Sequence, residues 1–272
     1  MQERHENRLQ YFKEQAYTTE TYIVPLIEQH LPLKETLQVL EIGCGEGGNM
    51  LPFLDRGCNV TGVDLASNKL ENAGKFYQDH PNKQNLTLIN QDIYDIEEDI
   101  KFDLIIMRDV LEHIHNQEKF MGYVKRFMKP NTLFFLGFPP WQNPFGGHQQ
   151  ICQSSFLSKL PYFHILPMGV YTALLKIFNE PQLQIDSLVE IKETGITIER
   201  FKKIIKNQRY SVLQEQFYFI NPNYEIKFNL KPRKQWAIIN KAPFIRNFLI
   251  TTCYYLLTMH EAAVDKTKKS SI

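Results

Sequence analysis

The chain has 272 residues, 43% of them hydrophobic and 22% charged. This composition can bury a core and excludes disordered and collagen-like chains. Lys and Arg outnumber Asp and Glu by 31 to 30, so the overall charge selects neither a nucleic-acid nor an acidic partner. The length fits two domains or one α/β domain with insertions. Charge is unevenly spread, however. Residues 196–247 hold 11 Lys/Arg against 3 Asp/Glu, which leaves an acidic front and a basic back with two different ligand environments. Cys44, Cys58, Cys152 and Cys253 form no CxxC pair, as expected of reduced thiols in a cytoplasmic protein. The first ten residues contain no apolar run, and the apolar stretch 248–259 is well short of the ~20 residues of a membrane span. A soluble chain without a transmembrane segment is expected.

In chain order, residues 1–37 read as a polar start followed by a helix with Tyr22, Ile23, Leu26 and Ile27 on one face, ending near Pro32. Strand and helix patterns then alternate, as in a doubly wound sheet. Strands are expected at 38–42, 58–63, 86–90, 102–107 and 132–138, with four helices between them. Ser67 is the expected cap of a helix running to about Gln78, and Asn116 caps one whose Phe120, Val124, Phe127 and Met128 form a buried stripe. Regularity fails from 139 to about 194, an aromatic-rich insertion. Thr197 caps a further helix that buries Ile198, Phe201, Ile204 and Ile205. Residues 211–220 read as a strand, 221–246 as a second, basic insertion, and 248–257 as a last strand. These patterns predict one α/β domain: an N-terminal helical lid (1–37), a ligand-binding core (38–138), a substrate-side insertion (139–195) and a C-terminal part of the core sheet (196–272).

The most informative segment is Val39-Leu-Glu41-Ile-Gly43-Cys44-Gly45-Glu46-Gly-Gly48. Gly43, Gly45 and Gly48 match GxGxxG, a pattern shared by dinucleotide sites. Glu41 at the strand end and Glu46 in the loop argue against a diphosphate and favour a ligand carrying an ammonium and a sulfonium, such as S-adenosylmethionine. Asp64 ends the second strand, where its oxygens can accept from a ribose diol. Asp92 ends the third, followed by apolar Ile93, a pairing that suits an adenine amine with its ring on a side chain.

With L-E-I-G-C-G-E-G at 40–47, V-T-G-V-D at 60–64, N-Q-D-I at 90–93 and F-D-L-I-I-M-R-D-V-L-E-H at 102–113, the segment 38–138 resembles the class I S-adenosylmethionine-dependent methyltransferases. The resemblance implies a Rossmann-like, seven-stranded, mostly parallel sheet with an antiparallel last strand. It also implies that Glu41, Gly43 and Gly45, with Cys44 between the glycines, line the methionine and ribose part of the cofactor. Asp64 would hold the ribose hydroxyls, Leu65 and Ile93 sandwich the adenine, Asp92 take its amine, and Met107 and Arg108 border the methionine end.

Transfer of a methyl from a sulfonium is an in-line displacement, so the enzyme chiefly positions a nucleophile, and an oxygen nucleophile needs a base near neutral pH. His5, His30, His80 and His260 read as solvated surface, and His115 as exposed. His164 shows no partner. His113, in Asp109-Val-Leu-Glu112-His113, either shapes its loop or acts as base. His148, after Gly146-Gly147, either ties down its loop or acts as base or substrate-orienting group. The catalytic candidates are thus His148, His113 and Asp109. No CxxC spacing suggests a metal, and none is expected.

The acceptor should meet the two insertions and the lid. The apolar residues of 139–195 read first as a helical cap closing its own small core, and second as a pocket or lipid-resting surface. The basic region can be a solvated face or can meet anionic head groups. The tail 221–233 resembles that of bacterial methyltransferases associated with glycan assembly. It makes O-methylation of a sugar or lipid-linked glycan the first expectation, with a quinone-type small molecule as the alternative and a cofactor-binding protein without turnover as a further class. No separate basic module flanks the core, so no nucleic-acid partner is expected.

Overall fold

A computed structural model describes residues 7–259; His5 and His260 lie outside them. The chain opens with α1 (Arg8–Thr18), a π turn (Thr19–Ile23) and α2 (Val24–Glu28). It continues through β1 (Gln38–Ile42), α3 (Leu51–Asp55), β2 (Asn59–Val63), α4 (Ser67–Phe76), β3 (Leu86–Ile89), β4 (Phe102–Arg108), α5 (Gln117–Val124) and β5 (Met128–Phe138). Then follow α6 (Met168–Ile177), α7 (Gln182–Thr194), α8 (Ile198–Asn207) and β6 (Tyr210–Ile220). The last elements are α9 (Tyr224–Phe228), β7 (Arg233–Lys234), α10 (Ala237–Asn240), α11 (Arg246–Leu249) and β8 (Thr252–Met259). The strands form one sheet in the order β3-β2-β1-β4-β5-β8-β6-β7. β3, β2, β1, β4 and β5 are parallel, and β8 runs antiparallel to both β5 and β6.

Parallel strands covered on both faces read as continuous apolar runs, and β4, Phe-Asp-Leu-Ile-Ile-Met-Arg, is buried at six of its seven positions. Alternate side chains go to opposite faces. Leu40, Ile42, Ile105, Met107, Phe134 and Leu136 join α5 and α8 in one core. Val39, Leu104, Ile106, Leu133 and Phe135 meet Phe12, Ile23, Ile27, Phe53 and Tyr77 in the other. β1 leads outward to β2 and β3, while β4 leads to β5, so the strand order reverses between β1 and β4. In open α/β sheets that reversal opens a crevice at the carboxyl ends of the strands.

Several expectations are corrected here. Among the described residues eight strands form, because Arg233–Lys234 adds a two-residue edge ribbon to β6. No α-helix separates β3 from β4; the acidic span there holds only a 3₁₀ turn, Ile93–Asp95. Ser67 is the first residue of α4 and caps nothing; the turn before it is held by Asp64 Oδ1, which accepts from the Ala66 N–H at 2.8 Å. β5 starts at Met128, through Pro130, and α11 occupies part of the span expected for the last strand. Asn116 and Thr197 do cap α5 and α8, accepting from the Lys119 and Arg200 N–H groups.

Over 139–194, where no regular pattern was read but a helical cap with its own small core was the first expectation, α6 and α7 form and close a separate core around Leu157, Phe163, Tyr171, Leu175 and Leu188. His164, for which the sequence offered no partner, is fully buried, and His80 is half-buried against Asp55. His164 Nε2 donates to the Trp141 carbonyl at 2.9 Å, and the Lys192 ammonium donates to the His164 carbonyl at 2.6 Å. Burial pushes the imidazole down to about 4, from an ordinary value of 6.5. Between these values the unfolded chain binds a proton that the folded chain does not, so stability falls as pH drops from 6.5 to 4. Thermal melts across that window should show a smaller fall for His164→Gln than for the wild type; equal falls would remove His164 as the cause.

Candidate active site

The carboxyl ends of β1, β2, β3 and β4 open into a cavity of about 880 Å³, within the size range of small-molecule sites. Its floor is the turn after β1. Gly43 has φ +71°, and a Cβ there would lie 2.5 Å from Val110, so the chain can turn this sharply only with glycine. The Gly43 and Cys44 N–H groups both donate to the Val63 carbonyl, at 2.8 and 3.1 Å. The Gly45 N–H donates to Asp64 Oδ2 at 2.8 Å. Asp64 therefore accepts from Gly45 through one oxygen and from Ala66 through the other, and each oxygen keeps a lone pair toward the cavity. Asp92 accepts from the Tyr94 N–H, Ile93 is buried, and Leu65 is 70% exposed at the rim.

Behind the floor runs a buried polar chain. Glu41 Oε1 accepts from Asn49 Nδ2 at 2.6 Å. Asn49 Oδ1 accepts from the Arg108 guanidinium and from the Thr19 hydroxyl, both at 2.9 Å, and Arg108 also donates to Asn223 in the second insertion. Burial pushes the Glu41 carboxyl up to about 8, although Asn49 and Arg108 oppose the shift. The N-terminal helices are held against this floor: Arg8 of α1 pairs with Glu46, while Tyr17 and Tyr22 both donate to Glu225.

Across the cavity stand Asp109, Glu112, His113 and His148. Asp109 and His148 have φ of +55° and +53°, a left-handed backbone uncommon outside glycine, although Asp and His adopt it more readily than most residues. The His113 and His148 rings lie 5.0 Å apart, edge to face. Protein surrounding the cleft disfavours their charged forms: His113 is lowered, and His148 is pushed down to about 3, mainly by desolvation and then by His113. Both imidazoles are thus neutral at pH 7. Glu112 is 4% exposed, and neither of its oxygens has a hydrogen-bond partner. Burial and neighbouring Asp109 hold it well above the carboxylate range.

A family model described as a methyltransferase domain matches residues 13–150, just over half of the chain and the whole of this floor. The chain is a class I S-adenosylmethionine-dependent methyltransferase. Ubiquinone biosynthesis O-methyltransferases of Rickettsia typhi and Rickettsia felis are 32% and 29% identical over 115 residues, 42% of this chain. The match spans about half the length of these curated relatives (46%). Two solved structures share the fold. The geranyl diphosphate C-methyltransferase of Streptomyces coelicolor, in complex with Mg²⁺, geranyl diphosphate and S-adenosylhomocysteine, gives a TM-score of 0.55 at 13% identity, over 88% of this chain and 80% of that one. The magnesium protoporphyrin IX methyltransferase of Synechocystis, with bound S-adenosylhomocysteine, gives 0.52 at 14% identity, over 90% and 83%.

The residues present fit S-adenosylmethionine. Arg8 and Arg108 are paired with Glu46 and Asp109, whereas Asp64 and Asp92 line the cavity without an ion pair among the described residues, an environment for a cation rather than a diphosphate. The side-chain oxygen of Gln15, beside the floor, is buried without a partner, an acceptor that the cofactor's ammonium would satisfy. Gly43, Cys44, Gly45, Asp64, Leu65, Asp92, Ile93 and Arg108 all line the cavity. Glu41 and Met107 do not. Glu41 is enclosed behind Asn49, and Met107, preceding Arg108 on β4, points to the opposite face and into the core. Among the described residues, sequence reasoning missed Arg8, Gln15, Asn49, Asn223 and Glu112. Only Glu112 carried a local signal, as the second acid of the Asp109–His113 run.

Removing charge-assisted hydrogen bonds of this kind costs ~1.5–3 kcal/mol. Asp64→Ala should therefore weaken S-adenosylhomocysteine binding by about 10- to 100-fold in calorimetry. An unchanged affinity would show that Asp64 does not hold the ribose.

Proposed function

We propose that this methyltransferase acts on a hydroxyl of a small, ring-shaped, lipophilic acceptor, with His148 and His113 orienting that hydroxyl. The observation that carries this reading is the pair of neutral imidazoles facing the cofactor floor across one cavity. The bound cofactor supplies a methyl group on a positively charged sulfur. The chain's own task is to hold the acceptor oxygen in line with that methyl and to take up its proton. An imidazole pushed down to about 3 accepts a hydrogen bond but is a weak base. It suits a phenol, with an acidity near that of tyrosine at about 10, better than the far less acidic hydroxyl of a sugar. Ile114, Phe120, Phe145 and Ile151 line the acceptor side and suit an apolar ring. The names of the Rickettsia relatives point the same way, so the quinone-type alternative replaces glycan O-methylation as the preferred reading.

The lid (1–37) and the first insertion (139–195) complete this reading: the lid latches to Glu46 and Glu225, and His148 comes from the insertion. The second insertion supports delivery of the acceptor from a membrane surface. No helix of the described residues is long and apolar enough to cross a membrane. Yet Trp236, Ile238 and Phe244 are 69%, 76% and 70% exposed, and residues 226–259 contain six Lys/Arg and no acid. Exposed aromatic and aliphatic groups among cations match the interfacial plane of an anionic bilayer. The same segment sends Asn223, Tyr224 and Lys227 into the cavity wall.

With methyl-labelled cofactor and a lipid extract, label should enter the phenol or quinone fraction, and His148→Ala should lower turnover by ~10²–10⁴ with cofactor affinity retained. Label confined to lipid-linked glycan would restore the sugar reading. In flotation with phosphatidylglycerol vesicles the wild type should rise with the lipid, and the double variant Trp236→Ser, Phe244→Ser should remain below. Equal flotation of the two would discard this surface.

A further inference from the structure

The acceptor side of the cavity holds an arrangement that the orienting role of the histidines leaves unexplained. Glu112, His113 and His148 each offer one ligand atom, and these three atoms lie within 4.8 Å of one another. Glu112 is almost wholly enclosed, 4% exposed, with no hydrogen-bond donor on either oxygen. A buried carboxyl without a donor is costly, and native structures pair such groups with a donor, water or an ion. No Lys or Arg forms an ion pair with it among the described residues. Asp109, beside it, adds a second carboxyl rather than a cation, and pairs instead with Arg108. Lys227 is the cation acting on His148 from the facing insertion.

We propose that Glu112, His113 and His148 bind one divalent transition-metal cation. Two imidazole nitrogens and one carboxylate oxygen form a donor set suited to Zn²⁺, Fe²⁺, Co²⁺ or Ni²⁺ rather than to Mg²⁺ or Ca²⁺, which prefer oxygen ligands throughout. The local chain is built to present them. The 3₁₀ turn Leu111–His113 places Glu112 inward, where the Gln117 side chain and the Thr194 hydroxyl bond to the backbone carbonyls of Leu111 and Glu112. Gly146 and Gly147 let the His148 loop approach: a Cβ at Gly147 would lie 2.3 Å from His164. Three protein ligands leave coordination positions open toward the cavity, as catalytic metal sites require.

The role of the cation rests on the O-methylation reading: a cation there would take the acceptor oxygen as a further ligand and lower its pKa. The imidazoles then serve as ligands, and the weakness of either as a base ceases to limit the reaction. Cation binding itself needs neither acceptor nor cofactor, so it can fail or succeed separately from that reading.

The test is titration of the full chain, free of cofactor and acceptor, with Co²⁺, followed by its visible absorption, and with Zn²⁺ by calorimetry. One cation per chain is expected, with a spectrum of nitrogen and oxygen ligation. Glu112→Gln and His148→Ala should each weaken binding by at least about tenfold, while His30→Ala, exposed on the far surface against Gln214, should not. Glu112→Gln also removes a buried acid without a partner, so its melting temperature without metal should equal or exceed that of the wild type, which separates loss of the site from loss of fold. Failure of the wild type to bind one equivalent, or equal binding by the wild type, Glu112→Gln and His148→Ala, would overturn the proposal.

Discussion

Everything in the site depends on how the chain leaves β1. The N–H groups of Gly43 and Cys44 share the Val63 carbonyl, and the next free N–H, that of Gly45, is taken by the Asp64 carboxylate. These bonds join the ends of β1 and β2 into one rigid lip. They form only because Gly43 adopts a positive φ with Val110 pressed against it. A side chain there would lift the turn off β2, release Asp64 and close the space above the floor. The cavity is therefore a consequence of backbone geometry, and the specificity of its two ends is added by side chains.

Those two ends are electrostatically unlike. On the cofactor side, Glu41, Asn49, Arg108 and Asn223 form a buried chain from the glycine turn to the second insertion. It couples the floor to the N-terminal helices through Thr19 and to the second insertion through Asn223. The charged member that stays ionised in this chain is Arg108, because burial holds Glu41 largely protonated near neutrality. The sequence argument that Glu41 directly repels a diphosphate is weakened accordingly. The preference for a cationic ligand falls instead on Asp64 and the other carboxyls of the cavity. On the acceptor side, desolvation keeps both histidines neutral, so the cleft offers lone pairs rather than positive charge.

The parallel core was legible because β4 and the second half of β5 are buried on both faces and appear as near-continuous apolar runs, while the short β1, β2 and β3 are each followed by a glycine or an acid at the strand end. Asp64 and Asp92 could be placed from that rule alone. Met107 could not be separated from Arg108, since only the register of β4 decides which of two neighbours faces the cavity. The first insertion could be read as a helical cap with its own core, but the bounds of its helices could not, because aromatic residues and prolines obscure their period and each buries its apolar side against the other rather than on the sheet. The meeting of Glu112 with His148, 36 positions later, was invisible for the same reason: it depends on how a self-contained cap folds back over β4 and β5.

The most direct measurement is a crystal structure of the full chain with S-adenosylhomocysteine. The ribose hydroxyls should rest on the Asp64 carboxylate, the adenine beside Ile93 and Asp92, and the homocysteine end toward Gln15 and Arg108. A ligand bound elsewhere, or a ribose away from Asp64, would contradict the role given to the lip between β1 and β2.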